Sequence, residues 1–179
     1  IDVTPKQITL KAIDQRVAMV DSTNKFTALV KLLRDDLVTR AMVFTRTKHG
    51  ANKVAKKLGM QGIVAEAIHG NKSQSARQRA LLNFKQGNAW VLVATDIAAR
   101  GIDIDDVTHV VNFELPNEPE SYIHRIGRTA RAGAFGAALS FCDPSERAHL
   151  QAIEKLIKMP IDVVDEHSQS TNLASEPLK

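Results

Sequence analysis

Short apolar runs take turns with longer amphipathic stretches across most of this chain, and that alternation constrains the fold more than any other feature. Strands are expected at 8–14, 41–45, 63–68, 90–94, 109–113 and 137–141, and helices at 23–34, 48–58, 73–86, 118–126 and 145–158. Strand–helix alternation at this spacing reads as βαβ units, because a strand followed by a crossover helix returns parallel to its predecessor. The expected architecture is α/β, with a mainly parallel sheet flanked by helices. Within 48–58, helical spacing turns Val54, Ala55 and Leu58 inward and Lys53, Lys56 and Lys57 toward water. Gly59 and Gly87 are expected as C-terminal caps, and Asn117 as an N-cap ahead of Pro119. Periodicity fades after Pro160. The expected organisation is a linker at 1–6, one domain over 7–161 and a polar tail over 162–179, without internal repeats.

Composition narrows the partners. At 44% hydrophobic and 25% charged, 179 residues are enough for one domain with a substantial core. A net charge of +4 favours a polyanionic partner. Six Phe, one Tyr and one Trp are few for a protein that reads nucleic acid by base stacking, so backbone gripping fits better. The single cysteine, Cys142, excludes an internal disulfide framework and a Cys-cluster zinc site, and its apolar run predicts a buried thiol. His69 has no second His or Cys at ligand spacing, so it reads as structural and no metal site is expected. No run is long enough to span a membrane, and Ile1–Pro5 does not read as a signal peptide. A reducing, cytoplasmic location is the expectation.

Two segments carry the chemistry. His124-Arg125-Ile-Gly127-Arg128-Thr-Ala130-Arg131 spaces three arginines three residues apart, which lets guanidinium forks converge on one multiply charged group. About thirty residues upstream, the apolar run Val91–Ala94 ends in Thr95-Asp96-Ile-Ala-Ala-Arg100-Gly101-Ile-Asp103. A polar cluster beyond a strand's carboxyl end is where open α/β sheets bind ligands. Together the two segments resemble motifs VI and V of superfamily 2 helicases, specifically DEAD-box RNA helicases. Ala41–Lys48 resembles motif IV. The series Ile68-His69-Gly70, Gln74, Arg77 and Phe84 resembles the stretch that follows it, and Val110–Pro116 the strand joining motifs V and VI. The likeness runs from about Gln7 to about Ile161, and its details resemble a bacterial, RhlE-like branch.

The resemblance implies the C-terminal RecA-like lobe, a three-layer sandwich, of an ATP-dependent RNA helicase. Arg128 and Arg131 would be catalytic, reaching the γ-phosphate; Asp103, Arg100 and Arg125 would serve the nucleotide side. Thr47, Gly70, Arg77 and Thr95 would bind RNA without regard to sequence, and Asp96 would orient neighbouring loops. Ala130 stands where many members carry glycine. The sequence lacks a G-x-x-x-x-G-K-[ST] phosphate loop and an Asp-Glu-Ala-Asp run, so the ATP cradle and most of the magnesium binding would belong to an N-terminal lobe. This lobe alone is then expected to be inactive. Two rivals stay open: a non-catalytic RNA- or protein-binding module, and a related motor acting on DNA.

Overall fold

The computed structural model describes residues 10–104, 106–130 and 136–164. The strands are β1 (Ile13–Met19), β2 (Ala41–Phe44), β3 (Ala65–Ile68), β4 (Val91–Ala94), β5 (His109–Asn112), β6 (Gly136–Cys142) and β7 (Asp162–Val164). The helices between them are α1 (Lys25–Leu33), α2 (Lys48–Met60), α3 (Gln74–Lys85), the single turn α4 (Asp96–Ala99), α5 (Pro119–Ile126) and α6 (Arg147–Ile157). The strands form one sheet in the order β3-β4-β2-β5-β6-β1-β7. Every pairing in it is parallel.

Two apolar clusters sandwich that sheet, because successive strand residues point to opposite faces. In β2, Met42 and Phe44 join the face covered by α3, α5 and α6 through Phe84, Tyr122, Ile126 and Ile153. Ala41 and Val43 join the other face, covered by α1 and α2 through Leu29, Leu33, Val54 and Leu58. Full burial of a side chain such as Phe44 or Leu92 contributes about 1.5–3 kcal/mol. Cys142 is buried, as expected, and burial followed by the Glu146 carboxylate pushes its thiol up to about 11.

Local departures from the sequence reading have local causes. β1 occupies Ile13–Met19 rather than 8–14, because the polar residues that interrupt its apolar run are paired. Arg16 binds Asp14 at 3.0 Å, and Gln15 accepts the Tyr122 hydroxyl at 2.7 Å. Gly59 lies inside α2, and Gly62 (φ 79) provides the left-handed turn after it; Gly87 (φ 80) does the same after α3, as expected. Glu118 rather than Asn117 is the N-cap of α5, with Pro119 in the first turn. A polar tail is expected from 162, yet Asp162–Val164 pairs in parallel with Arg16–Ala18 and lengthens the sheet. Residues 1–9 and 165–179 lie outside the described ones.

Candidate functional site

Parallel strands bring their carboxyl ends to one edge, and the loops leaving β3, β4 and β2 emerge there side by side. Thr95 follows β4 directly, Gly70 follows β3 and Thr47 follows β2. The ladder continues past the strands, with Thr45 N donating to Ala94 O at 3.0 Å and Thr95 N to Ile68 O at 3.3 Å. Three neighbouring strands span about 10 Å, so these three positions form a short track. Thr47 is exposed and caps α2; its Oγ1 accepts from Gly50 N at 3.0 Å, which leaves the hydroxyl proton for an outside acceptor. Gly70 is exposed, with nothing within 4 Å of where a Cβ would lie. Arg77, in the first turn of α3, donates to Ala98 O at 3.3 Å and so leans toward the loop that Thr95 opens. Thr95 is buried and caps α4 through its extended backbone.

His69 is buried beside this track, and its two ring nitrogens have different work. Asn71 N donates to Nδ1 at 3.2 Å, so Nε2 carries the proton toward Asn52 Oδ1 at 2.9 Å. Burial, followed by Lys72, Lys48 and His49, holds its pKa below the usual 6.5. The structural role expected of it is the one it has. Lys48 and Lys72 also place positive charge beside it.

The arginine segment divides by position. Arg125 lies in α5 and is 1% exposed. Its guanidinium binds Asp96 in bidentate fashion at 2.6 and 2.8 Å, and its Nη1 donates to Asn112 Oδ1 at 3.1 Å and Glu114 O at 2.6 Å. Phe44 lies under it, 5.2 Å from the ring centroid. Arg125 therefore ties the ends of β2, β4 and β5 together, spending its fork on contacts inside the protein. Asp96 orients loops, as expected. Arg128, two residues beyond α5, is half-buried and donates to Ala99 O at 2.7 Å and to Ile102 O. It thus rests against the 99–104 loop, on which Arg100 and Asp103 are exposed. The structure brings Arg128 to the loop that bears Arg100 and Asp103, a loop that follows α4 and Thr95, the middle position of the track. Arg131 lies outside the described residues.

A charged cluster at the same edge was absent from the sequence reading. Glu146, 1% exposed, pairs with Lys25 and Arg46 and accepts from Leu115 N at 2.8 Å and Asp143 N at 3.2 Å. These residues are scattered over more than a hundred positions, and no local spacing links them. A glutamate just before a helix reads as an ordinary first-turn acid.

Residues 24–133 match the family described as the helicase conserved C-terminal domain. The chain superimposes with TM-score 0.82 and 39% identity on the Escherichia coli DEAD-box protein SrmB, solved bound to RraA, covering 85% of this chain and 90% of that one. The chain belongs to the DEAD-box family. This DEAD-box lobe is also 46% identical over 166 residues to the DEAD-box ATP-dependent RNA helicase CshA of Bacillus subtilis. That match covers 93% of this chain and 34% of the relative, so the lobe spans about a third of the curated relatives' length. It resembles Saccharomyces cerevisiae Dbp5 bound to RNA and ADP BeF3 with TM-score 0.79 and 34% identity, over 87% of this chain and 42% of that one.

Proposed function

We propose that this chain is the C-terminal lobe of an ATP-dependent RNA helicase that closes with an N-terminal lobe over ATP and RNA. ATP hydrolysis then accompanies local separation or remodelling of RNA duplexes. The observation that carries this reading is the seating of Arg128 against the loop bearing Arg100 and Asp103, beside the Thr47–Thr95–Gly70 track. The two halves fit two polyanions. Thr47, Gly70, Arg77 and Thr95 offer hydroxyl, backbone and guanidinium donors to RNA phosphates, which hold the strand without reading its sequence. Arg128, with Arg131, would meet the charge spread over a transferring phosphoryl group, while Asp103 accepts from a ribose hydroxyl and Arg100 lies between nucleotide and RNA. Magnesium and the phosphate cradle belong to the N-terminal lobe in this reading, so the lobe alone is inactive.

In the form seen here, the Arg128 guanidinium is held by carbonyl oxygens. A phosphate would offer this guanidinium charge-assisted, bidentate bonds. Because ATP and RNA would each bridge the lobes, each favours the closed state and raises affinity for the other. The cytoplasm is the proposed location and the RhlE-like branch the proposed subfamily. The test is RNA-stimulated ATP hydrolysis by the full-length protein carrying Arg128→Ala. Hydrolysis should fall by roughly 10³-fold or more while ATP still binds. Full activity in the variant would refute the assignment, and RNA binding without turnover in the parent would instead favour a binding module.

A further inference from the structure

We propose that Arg46 is a further grip for an RNA phosphate, held in place by the buried carboxylate of Glu146. The inference rests on the reading of this edge as an RNA track. Arg46 lies between Thr45, which is fully buried, and Thr47, which is exposed. Its Nε donates to Leu115 O at 2.8 Å and its Nη2 to Glu146 Oε2, while its backbone N donates to Glu114 Oε1 at 3.1 Å. Nη1 has no hydrogen-bond partner among the described residues. The only buried side-chain nitrogen or oxygen among them without a hydrogen-bond partner is Arg40 Nε, which is ion-paired to Asp106, so Arg46 Nη1 is open to solvent.

That arrangement differs from a purely structural arginine. Arg125, 1% exposed, turns its whole fork onto protein acceptors. The Arg46 side chain is 29% exposed, with one edge of the fork clamped and the other outward. Clamping removes the rotamer freedom that a surface arginine would lose on gripping a ligand. Glu146 is suited to the clamp because it is itself fixed. Its second oxygen is held by Lys25 and by Asp143 N, and Asp143 in turn lies 3.6 Å from Lys25. The first turn of α2, next to Arg46, is closely packed as well: a Cβ added at Gly50 would meet Thr47 Oγ1 at 3.1 Å and Glu114 Oε1 at 3.5 Å. A phosphate bonded to the Thr47 hydroxyl thus lies one residue from a pre-oriented guanidinium edge. The ligand chemistry is a sugar–phosphate backbone, bound without regard to base.

The test uses the full-length protein with a fluorescein-labelled single-stranded oligouridylate and a non-hydrolysable ATP analogue, titrated across a salt series. Arg46→Gln should weaken binding about 5- to 10-fold and reduce the slope of log affinity against log salt by about 0.7, the signature of one lost phosphate contact on a single strand. Arg46→Lys keeps the charge without the fork, and should keep the slope while losing part of the affinity. Glu146→Gln should lower affinity with the slope between the two. If Arg46→Gln folds and keeps both parental affinity and slope while Thr47→Ala loses affinity, Arg46 is structural and the proposal fails. A parent that binds no RNA would overturn the underlying RNA reading along with it. Should Arg46→Gln not fold, a parental affinity in Arg46→Lys alongside a weakened Thr47→Ala would overturn the proposal equally.

Discussion

A guanidinium buried to 1% exposure keeps its charge only if acceptors surround it, and Arg125 has Asp96, Asn112 and the Glu114 carbonyl. Arg125→Ala would leave those acceptors facing a cavity. The expected cost is about 3–5 kcal/mol, the range for removing one partner of a buried ion pair. Arg125→Lys should recover only part of it, because a point charge cannot span Asp96 and Asn112 together. Urea unfolding of the isolated lobe measures both; a loss under about 1 kcal/mol in the alanine variant would mean that the ties contribute little. In the sequence, Arg125, Arg128 and Arg131 have equal spacing and equal chemistry. What separates them is the end of α5 at Ile126, which puts Arg125 on a helix face turned to the core and Arg128 beyond it. The helix end at 126 is legible in the sequence, whereas the face that turns to the core is set by packing. The motif therefore revealed the cluster while leaving open which arginine is spent inside the protein.

At the scale of elements, the segment after α5 shows what a small residue has to do. Ala130 adopts φ 57, a left-handed conformation that glycine enters without penalty. Gly136, opening β6, lies so close that a Cβ there would come within 2.5 Å of Ala130 N and 2.6 Å of Thr129 Oγ1. Gly136→Ala should destabilise the lobe by about 1–3 kcal/mol or more, since backbone rather than a flexible side chain must move. Ala130→Gly should gain up to about 1 kcal/mol, because it releases the left-handed strain. Gly59→Ala, inside α2 with open space around it, should also stabilise, by about 0.5–1 kcal/mol. Thermal melts of the three variants rank them, and a neutral Gly136→Ala would show that the loop can yield. The family's preference for glycine at 130 was visible from the resemblance, but its reason was not, since a dihedral leaves no mark on composition. The central strands were legible because continuous apolar runs specify burial on both faces. β1 and β7 were not: β1 mixes Asp14, Gln15 and Arg16 into its run, and β7, at the edge, is three residues paired on one side only.

Over the whole molecule, buried titratable groups limit stability from both ends of the pH scale. On the acid side, His69 must stay neutral for Nδ1 to accept from Asn71, and its folded pKa lies below 6.5. A lowered histidine pKa means that the unfolded chain takes up the proton first. Its contribution is complete above 6.5 and is lost as pH falls through the folded value. On the alkaline side, the Cys142 thiol ionises at about 11 rather than 9.0. A raised thiol pKa works in the opposite sense: its contribution is complete below 9.0 and is lost as pH climbs toward about 11. Tyr122, raised from 10.0 by burial and then by Glu154, adds to the same limb. Stability of the lobe should therefore form a plateau between about pH 7 and pH 9 and decline on either side. His69→Gln should flatten the decline that begins as pH falls below 6.5, even where it lowers the plateau, because glutamine does not titrate. Cys142→Ala should remove the first part of the alkaline loss and leave the part due to Tyr122. Denaturant midpoints taken at half-unit pH steps read all three curves. Parallel acid limbs in the parent and His69→Gln would show that His69 does not produce the decline beginning at 6.5; Asp143, raised by burial but lowered more by its bonds to Ser145 and its pairing with Lys25, loses its contribution only below 3.8.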